Sequence, residues 1–206
     1  RKVLDMYINY PIIVKEITAP CVCHEGDGFC IRAFPLEHTK TCVGYTLEEY
    51  QRPGEFHPEK ARELKVPCGP LWAKLQAGCE VEAEDGSIVK PEQVLGPQRK
   101  GRKISYVTDT LYLDSIAKEV ANSDLLFCEG MFTKEFEDQA KEKKHMTSSQ
   151  AAQIAKDANV KKMALIHYSP RYNDYDLKPL LTEAQSIFPE TILSKDRMTF
   201  EIPNED

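Results

Sequence analysis

The chain has 206 residues, a formal net charge of −6 and 41% hydrophobic residues. That length fits one large domain or a domain with an insertion, and the apolar content is enough for a core. The acidic balance excludes a globally basic nucleic-acid binder, no apolar run approaches the ~20 residues that span a bilayer, and the start, Arg1 to Asp5, lacks the apolar segment of a secretory signal.

Residues 12–18 and 29–34 read as strands around the turn Glu25-Gly26-Asp27-Gly28. Cysteines 21, 23, 30, 42, 68, 79 and 128 form no C-x-x-C pair. Cys21, Cys23, His24 and Cys30 make the nearest approach to a zinc tract, against the simpler reading of reduced thiols in a cytoplasmic protein. From about 46 to 102 the texture changes: Pro53, Pro58, Pro67, Pro70, Pro91 and Pro97 interrupt any helical or strand period. Asp85-Gly86 fits a hairpin turn between 80–83 and 87–89. So long a stretch is an inserted arm with small structure of its own rather than a loop.

Regular order returns at Lys103. A strand over 103–108, a helix near 114–121 and a strand over 124–128 follow, then the capping box Thr147-Ser148-Ser149-Gln150 opens a helix with Ala151, Ala152, Ile154 and Ala155 on its apolar face. A strand over 162–166, a helix near 177–187 and a strand over 198–202 complete a β-α alternation, so the expected class is α/β.

Three apolar runs end in chemistry: Ile104 to Asp109, Asp124 to Glu129 and Ala164 to His167. Strand ends of α/β proteins present side chains to a site, and a carboxylate with imidazoles suits a hydrolytic metal centre. His38, Asp109 and His167 are the ligand candidates. Taken singly, Asp109-Thr110 also fits a helix cap, and each histidine a hydrogen-bonded core or surface residue. Gln98-Arg99-Lys100-Gly101-Arg102-Lys103 sets four cations in six residues, which would meet phosphates without reading sequence. Trp72 and Tyr50 fit base stacking or, more simply, packing of the arm.

From about Tyr10 to Pro203 the chain resembles the C-terminal two-thirds of the ribonuclease Z family, tRNA 3′-processing endonucleases of the metallo-β-lactamase superfamily. His38 with Gly44-Tyr45 resembles a family histidine-ligand motif, and Tyr106-Val107-Thr108-Asp109-Thr110 the Gly-Asp-Thr motif of the metal-bridging aspartate. Ile166-His167-Tyr168-Ser169-Pro170-Arg171-Tyr172 resembles the final ligand motif, Thr-His-x-Ser-x-Arg-Tyr. Cys128-Glu129-Gly130-Met131-Phe132 stands in the place of His-Glu-Ala-Thr-Phe, and His145-Met146-Thr147 matches His-Ser-Thr. Residues 67–72 and 95–102 resemble the two ends of the family's tRNA-binding arm.

The resemblance implies part of an αββα sandwich, with 1–47 and 101–206 as the body and 48–100 as a protruding substrate-binding arm. It implies two zinc ions, with manganese or magnesium as substitutes, held in part by His38, Asp109 and His167. The reaction would remove the 3′ trailer of precursor tRNA, with His145, oriented by Glu129, giving a proton to the leaving oxygen. Gly69, Pro70, Arg99, Lys100, Arg102, Lys103, Ser169 and Arg171 would contact the tRNA.

Departures temper this. Cys128 replaces a histidine, Leu111 stands where an arginine is usual, and no His-x-His-x-Asp-His motif occurs in the chain. The expectation is weak metal binding, an uncovered apolar sheet face, assembly as a homodimer or with an N-terminal segment, and no cleavage by the chain alone. A non-catalytic tRNA-binding half and a small-ester phosphodiesterase of the same fold are the alternatives.

Overall fold

The computed structural model describes residues 10–11, 13–173 and 177–204. Three antiparallel strands come first: β1 (Cys21–Gly26), β2 (Phe29–Leu36) and β3 (Cys42–Glu49). The β1–β2 turn needs a left-handed backbone at Gly28 (φ 82°), which glycine adopts without steric cost. Gly44 has a different reason. A Cβ there would come within 2.4 Å of the Phe34 ring on the neighbouring strand.

Two short helices follow, α1 (Pro58–Glu63) and α2 (Pro70–Gln76), with a minimal hairpin of β4 (Val81–Glu82) and β5 (Ile88–Val89). Asp85 shapes its turn by accepting from the Ser87 amide (3.1 Å) and hydroxyl (2.6 Å). The remainder alternates: β6 (Lys103–Val107), α3 (Ser115–Glu119), β7 (Leu125–Glu129), α4 (Glu137–Glu142), α5 (Ser148–Asp157), β8 (Met163–Ile166), α6 (Lys178–Ile187) and β9 (Thr191–Leu193). The large sheet runs β1-β2-β3-β6-β7-β8-β9. It is antiparallel through β6 and parallel from β6 to β9. β7, in the parallel half, is apolar almost throughout, as a strand buried on both faces requires.

Helices α3, α5 and α6 close one face. Ile116, Ala151, Ile154, Ala155 and Ala184 meet Val107, Leu126, Met163 and Leu165 in the main core. The capping box forms as its sequence requires: Thr147 Oγ1 accepts from the Gln150 amide (3.2 Å), and the Gln150 side chain accepts from the Thr147 amide (3.0 Å). The other face carries the cross-strand pair Tyr45 and Tyr106, 44% and 45% exposed, so an aromatic part of the sheet lies open. A second core of Ala61, Val66, Leu75, Val81, Ala83, Val89 and Val94 lies in residues 61–94 and shares no residue with the first.

Three elements differ from expectation. Among the described residues of 12–18 no strand forms, and Ile12 lies outside them. The two-residue turn sets the β1–β2 register, which runs back only to Cys21 opposite Ala33, and Pro20 just before it has no N–H to donate to a ladder. Residues 198–202 are not a strand either, because Thr191–Leu193 takes the sheet edge beside β8. They lie across the open face instead, with Phe200 edge-on to Phe127 at 5.2 Å and the Ile202 carbonyl accepting from Arg102 Nη1 at 3.3 Å. β3 was hidden in sequence, since Gly44 and three polar residues break its apolar pattern.

Candidate metal centre

The parallel strands end together, and their exits build the site. β6 runs out into Asp109, β7 ends in Glu129, β8 runs out into His167, and the loop after β2 supplies His38. His145 comes from the turn between α4 and α5, directly before the capping box. His38 and His145 have ring centroids 4.7 Å apart, and His145 stacks on His167 at 5.2 Å. His167 Nε2 lies 3.4 Å from Asp109 Oδ2. The structure therefore gathers His38, Asp109, Glu129, His145 and His167 at one edge of the sheet.

One compact group offers three ligating atoms. Ligating atoms of His38, Asp109 and His145 all lie within 4.8 Å of one another, and His167 lies beside Asp109 and His145. Nothing in the residue order around His145 marks it as a ligand. The folding of the α4–α5 turn over His38 brings it within reach of the group. His167 has a left-handed backbone (φ 58°), a conformation shared by Lys65, Asn122, Lys144, Asn159 and Arg197.

The imidazoles are oriented as ligands need. The Lys144 carbonyl, 2.9 Å from His38 Nδ1, can only accept, so Nδ1 carries a proton and Nε2 is the nitrogen left for the site. His145 Nδ1 faces both oxygens of Glu129, at 3.0 and 3.2 Å, which likewise leaves Nε2 for the site. By donor type His38 and Asp109 fit a divalent cation, and His145 does so only when its ring is neutral.

Glu129 is fully buried, and burial raises its pKa against the opposing pull of hydrogen bonds from His145 and the Thr110 amide. Burial alone would lower the pKa of His145, but its hydrogen bond and Coulomb attraction to Glu129 outweigh that and the net shift is upward. The buried carboxylate thus favours the protonated form of the His145 ring. Cys128 takes no part. Its side chain is buried in the main core, 4.0 Å from Met146 Sδ, and burial raises its pKa well above the usual thiol value.

The other sequence candidates lie elsewhere. Gly69 (φ 140°) and Pro70 open α2 and are exposed. Arg99 donates to the Pro53 carbonyl at 3.0 Å, and Lys100 is exposed with Nζ 3.5 Å from the Asn122 carbonyl. The fork of Arg102 is occupied: Nε and Nη2 bond the two oxygens of Glu49 at 2.8 and 2.5 Å. Lys103 is held by its amide to Asp124 (2.7 Å). Ser169 is buried with its amide on the Met131 carbonyl (3.1 Å). Exposed Arg171 stacks over Phe136 (4.3 Å) and Phe132 (5.1 Å) and donates to Gln139. Trp72 packs the arm core, its indole N–H on the Val66 carbonyl (3.0 Å). Among the described residues no metal-holding group includes Cys21, Cys23, His24 or Cys30.

A sheet with helices on one face and a His–Asp site at its strand exits defines the metallo-β-lactamase fold class. The family model "Beta-lactamase superfamily domain" matches residues 81–168. Among solved structures, the metallo-beta-lactamase fold protein YhfI from Bacillus subtilis superposes with a TM-score of 0.56 at 20% identity, over 92% of this chain and 55% of that one. Human tRNase Z, short form, does so with a TM-score of 0.52 at 22% identity, over 89% and 47%. The ribonuclease Z of Treponema denticola is 65% identical over 206 residues, covering 100% of this chain and 67% of the relative. The chain belongs to the ribonuclease Z family. It spans about two thirds of the length of the curated relatives it matches.

Proposed function

We propose that the chain carries the acid pair and part of the metal centre of an endoribonuclease that removes the 3′ trailer from precursor tRNA. The observation that carries this is the joining of His38, Asp109 and His145 with the buried Glu129 at the sheet edge. His38 and Asp109 would hold a divalent cation, zinc by donor type, together with His145 or His167. The bound cation supplies charge neutralisation at the scissile phosphate and an activated water. Glu129 holds Nδ1 of His145, and Nε2–H of the imidazolium points at the site, from where it can protonate the departing oxygen. His145 is therefore read as the acid and His167 as the ligand that completes the set.

Residues 48–100 are proposed as the tRNA-binding arm, supported by their separate core. Phosphate contacts are assigned to Arg99, Lys100 and Lys103, and the arm's outer surface to Gly69 and Pro70. Arg102 would brace the neck from its pair with Glu49. Ser169 and Arg171 would shape the loop beside His167. The reading extends to a cytoplasmic homodimer, supported by seven free cysteines and by the open face at Tyr45 and Tyr106. No helix among the described residues is long and apolar enough to cross a membrane.

A second reading, a tRNA-binding half without chemistry of its own, is favoured by the compact group of three ligands where two ions need more. Incubation of a precursor tRNA carrying a labelled trailer, with zinc or manganese, decides between them. The proposed function expects a single cut at the trailer junction once the remaining third of a family member is supplied in trans or in frame. Tight tRNA binding with no cut under either condition would establish the second.

A further inference from the structure

The loops that carry His38, Asp109 and Glu129 come from three different strands, and one buried residue links them through its hydroxyl and its amide. Thr110 has no exposed surface. Its hydroxyl accepts from the Glu37 amide at 3.1 Å, next to His38, and donates to the Leu111 carbonyl at 2.9 Å. The Leu111 amide returns to the Glu37 carbonyl at 2.8 Å, so the β2 exit and the β6 exit are laced together. The amide of Thr110 itself donates to Glu129 Oε1 at 2.5 Å, on the carboxylate that holds His145. Asp109 is its immediate neighbour in the chain.

We propose that Thr110 is a positioning residue that sets His38, Asp109 and the Glu129–His145 pair in register through its hydroxyl and its amide. This rests on the reading of His38 and Asp109 as metal ligands. A helix cap explains the observations less well. The first helix after Thr110 begins at Ser115, and the side chain of Thr110 bonds none of its amides. The hydroxyl is instead spent on a strand exit 73 residues away in sequence. A valine has the same shape without the hydroxyl. It would leave the Glu37 amide without its acceptor and remove one of the two hydrogen bonds that lace the β2 and β6 exits, while serine would keep it.

The test compares Thr110→Val, Thr110→Ala and Thr110→Ser with the unaltered chain. Amide hydrogen exchange at Glu37 is measured without metal, and cobalt(II) is titrated by its visible absorption band. Loss of an outer partner of a metal site costs roughly 10- to 100-fold in affinity. The expected result is faster exchange at Glu37 and a cobalt affinity about tenfold weaker in the Val and Ala variants, with the Ser variant restored on both counts. A simple packing role would instead leave Val close to the unaltered chain and Ser worse. Val equal to the unaltered chain in exchange and in affinity overturns the proposal. If the unaltered chain takes up no cobalt, the metal reading of the site falls, and exchange at Glu37 alone decides the strap: unchanged exchange in Val and Ala refutes it.

Discussion

The body and the arm solve the same problem, burying apolar surface, in opposite ways. The body lays three helices on a seven-stranded sheet and uses the exits of the strands as a platform for ionisable groups. The arm gathers seven buried residues from two short helices, a two-rung hairpin and extended segments, and no metal-holding group occurs in it. Its neck is narrow: Arg52 and Arg99 form an isolated backbone bridge, and below it Glu49 meets Arg102. Rigid layers support a site that tolerates little displacement. If residues 48–100 are the tRNA-binding arm proposed above, a small separate core suffices for a surface that would meet a large ligand by shape and charge.

If that division is right, the largest effect belongs to the acid pair. His145→Ala should lower precursor-tRNA cleavage by about 10²–10⁴-fold, the usual worth of a positioned proton donor, with tRNA affinity unchanged in a filter-binding assay. Glu129→Gln keeps a hydrogen-bond acceptor beside His145 but removes the charge that sustains the imidazolium, so its loss should be smaller than that of His145→Ala. Equal loss of cleavage and of affinity in either variant would mean that these residues hold the substrate.

Replacing residues 53–98 by a short linker, just beyond the Arg52–Arg99 bridge, sharpens the comparison from the other side. The expected outcome is loss of tRNA binding with hydrolysis of a small phosphodiester by the complete enzyme largely kept. A parallel fall in both would show that the arm supports the site as well as the substrate.

A cavity placed in each core should stay local. Leu75 is fully buried in the arm and Leu126 in the body, and truncation of either to alanine costs about 2–5 kcal/mol. Leu75→Ala should raise proteolysis within the arm and leave the thermal midpoint of the body close to its starting value. Leu126→Ala should lower that midpoint. A common shift in both variants would make the two cores one cooperative unit.

Much of this was legible in the sequence. Strands β6, β7 and β8 could be read because each is a short apolar run closed by a charged or polar residue, and Thr147-Ser148-Ser149-Gln150 announced its helix, whereas the three-residue β9 was missed in favour of 198–202. Asp85-Gly86 likewise gave the hairpin. Legibility failed where tertiary register decides. Cys42–Glu49 became a strand through its pairing with β2 and β6, not through its own pattern. His145 joined His38 because a carbonyl at Lys144 and the pair Lys144–Glu37 (3.0 Å) fold one loop onto another, and no spacing in the chain encodes that. The basic run at 98–103 looked uniformly available to phosphates, yet Glu49, 53 residues from Arg102, claims one of its cations.

That pair gives the smallest effect and the one most specific to the neck. The hydrogen bonds of Arg102 to Glu49 hold the carboxyl pKa down from 4.5 to about 2. The folded pKa is depressed, so the stabilisation is fully present above pH 4.5 and is lost as the pH falls through about 2. Arg102 is 40% exposed and Glu49 23%, so solvent screening limits the pair to about 1 kcal/mol or less. Glu49→Gln should therefore cost little at pH 7 and flatten the acid limb of the stability curve, as followed by chemical denaturation at pH 7, 4 and 2.5. The variant should also loosen amide protection at Glu49 and Arg52, whose N–H groups bond the Arg102 and Arg99 carbonyls at 2.9 Å, before any change at Leu126. If acid weakened the body and the neck together, the ion pair would be one of many equal contributors, and the neck would not be the point at which the arm is joined to the sheet as a separate unit.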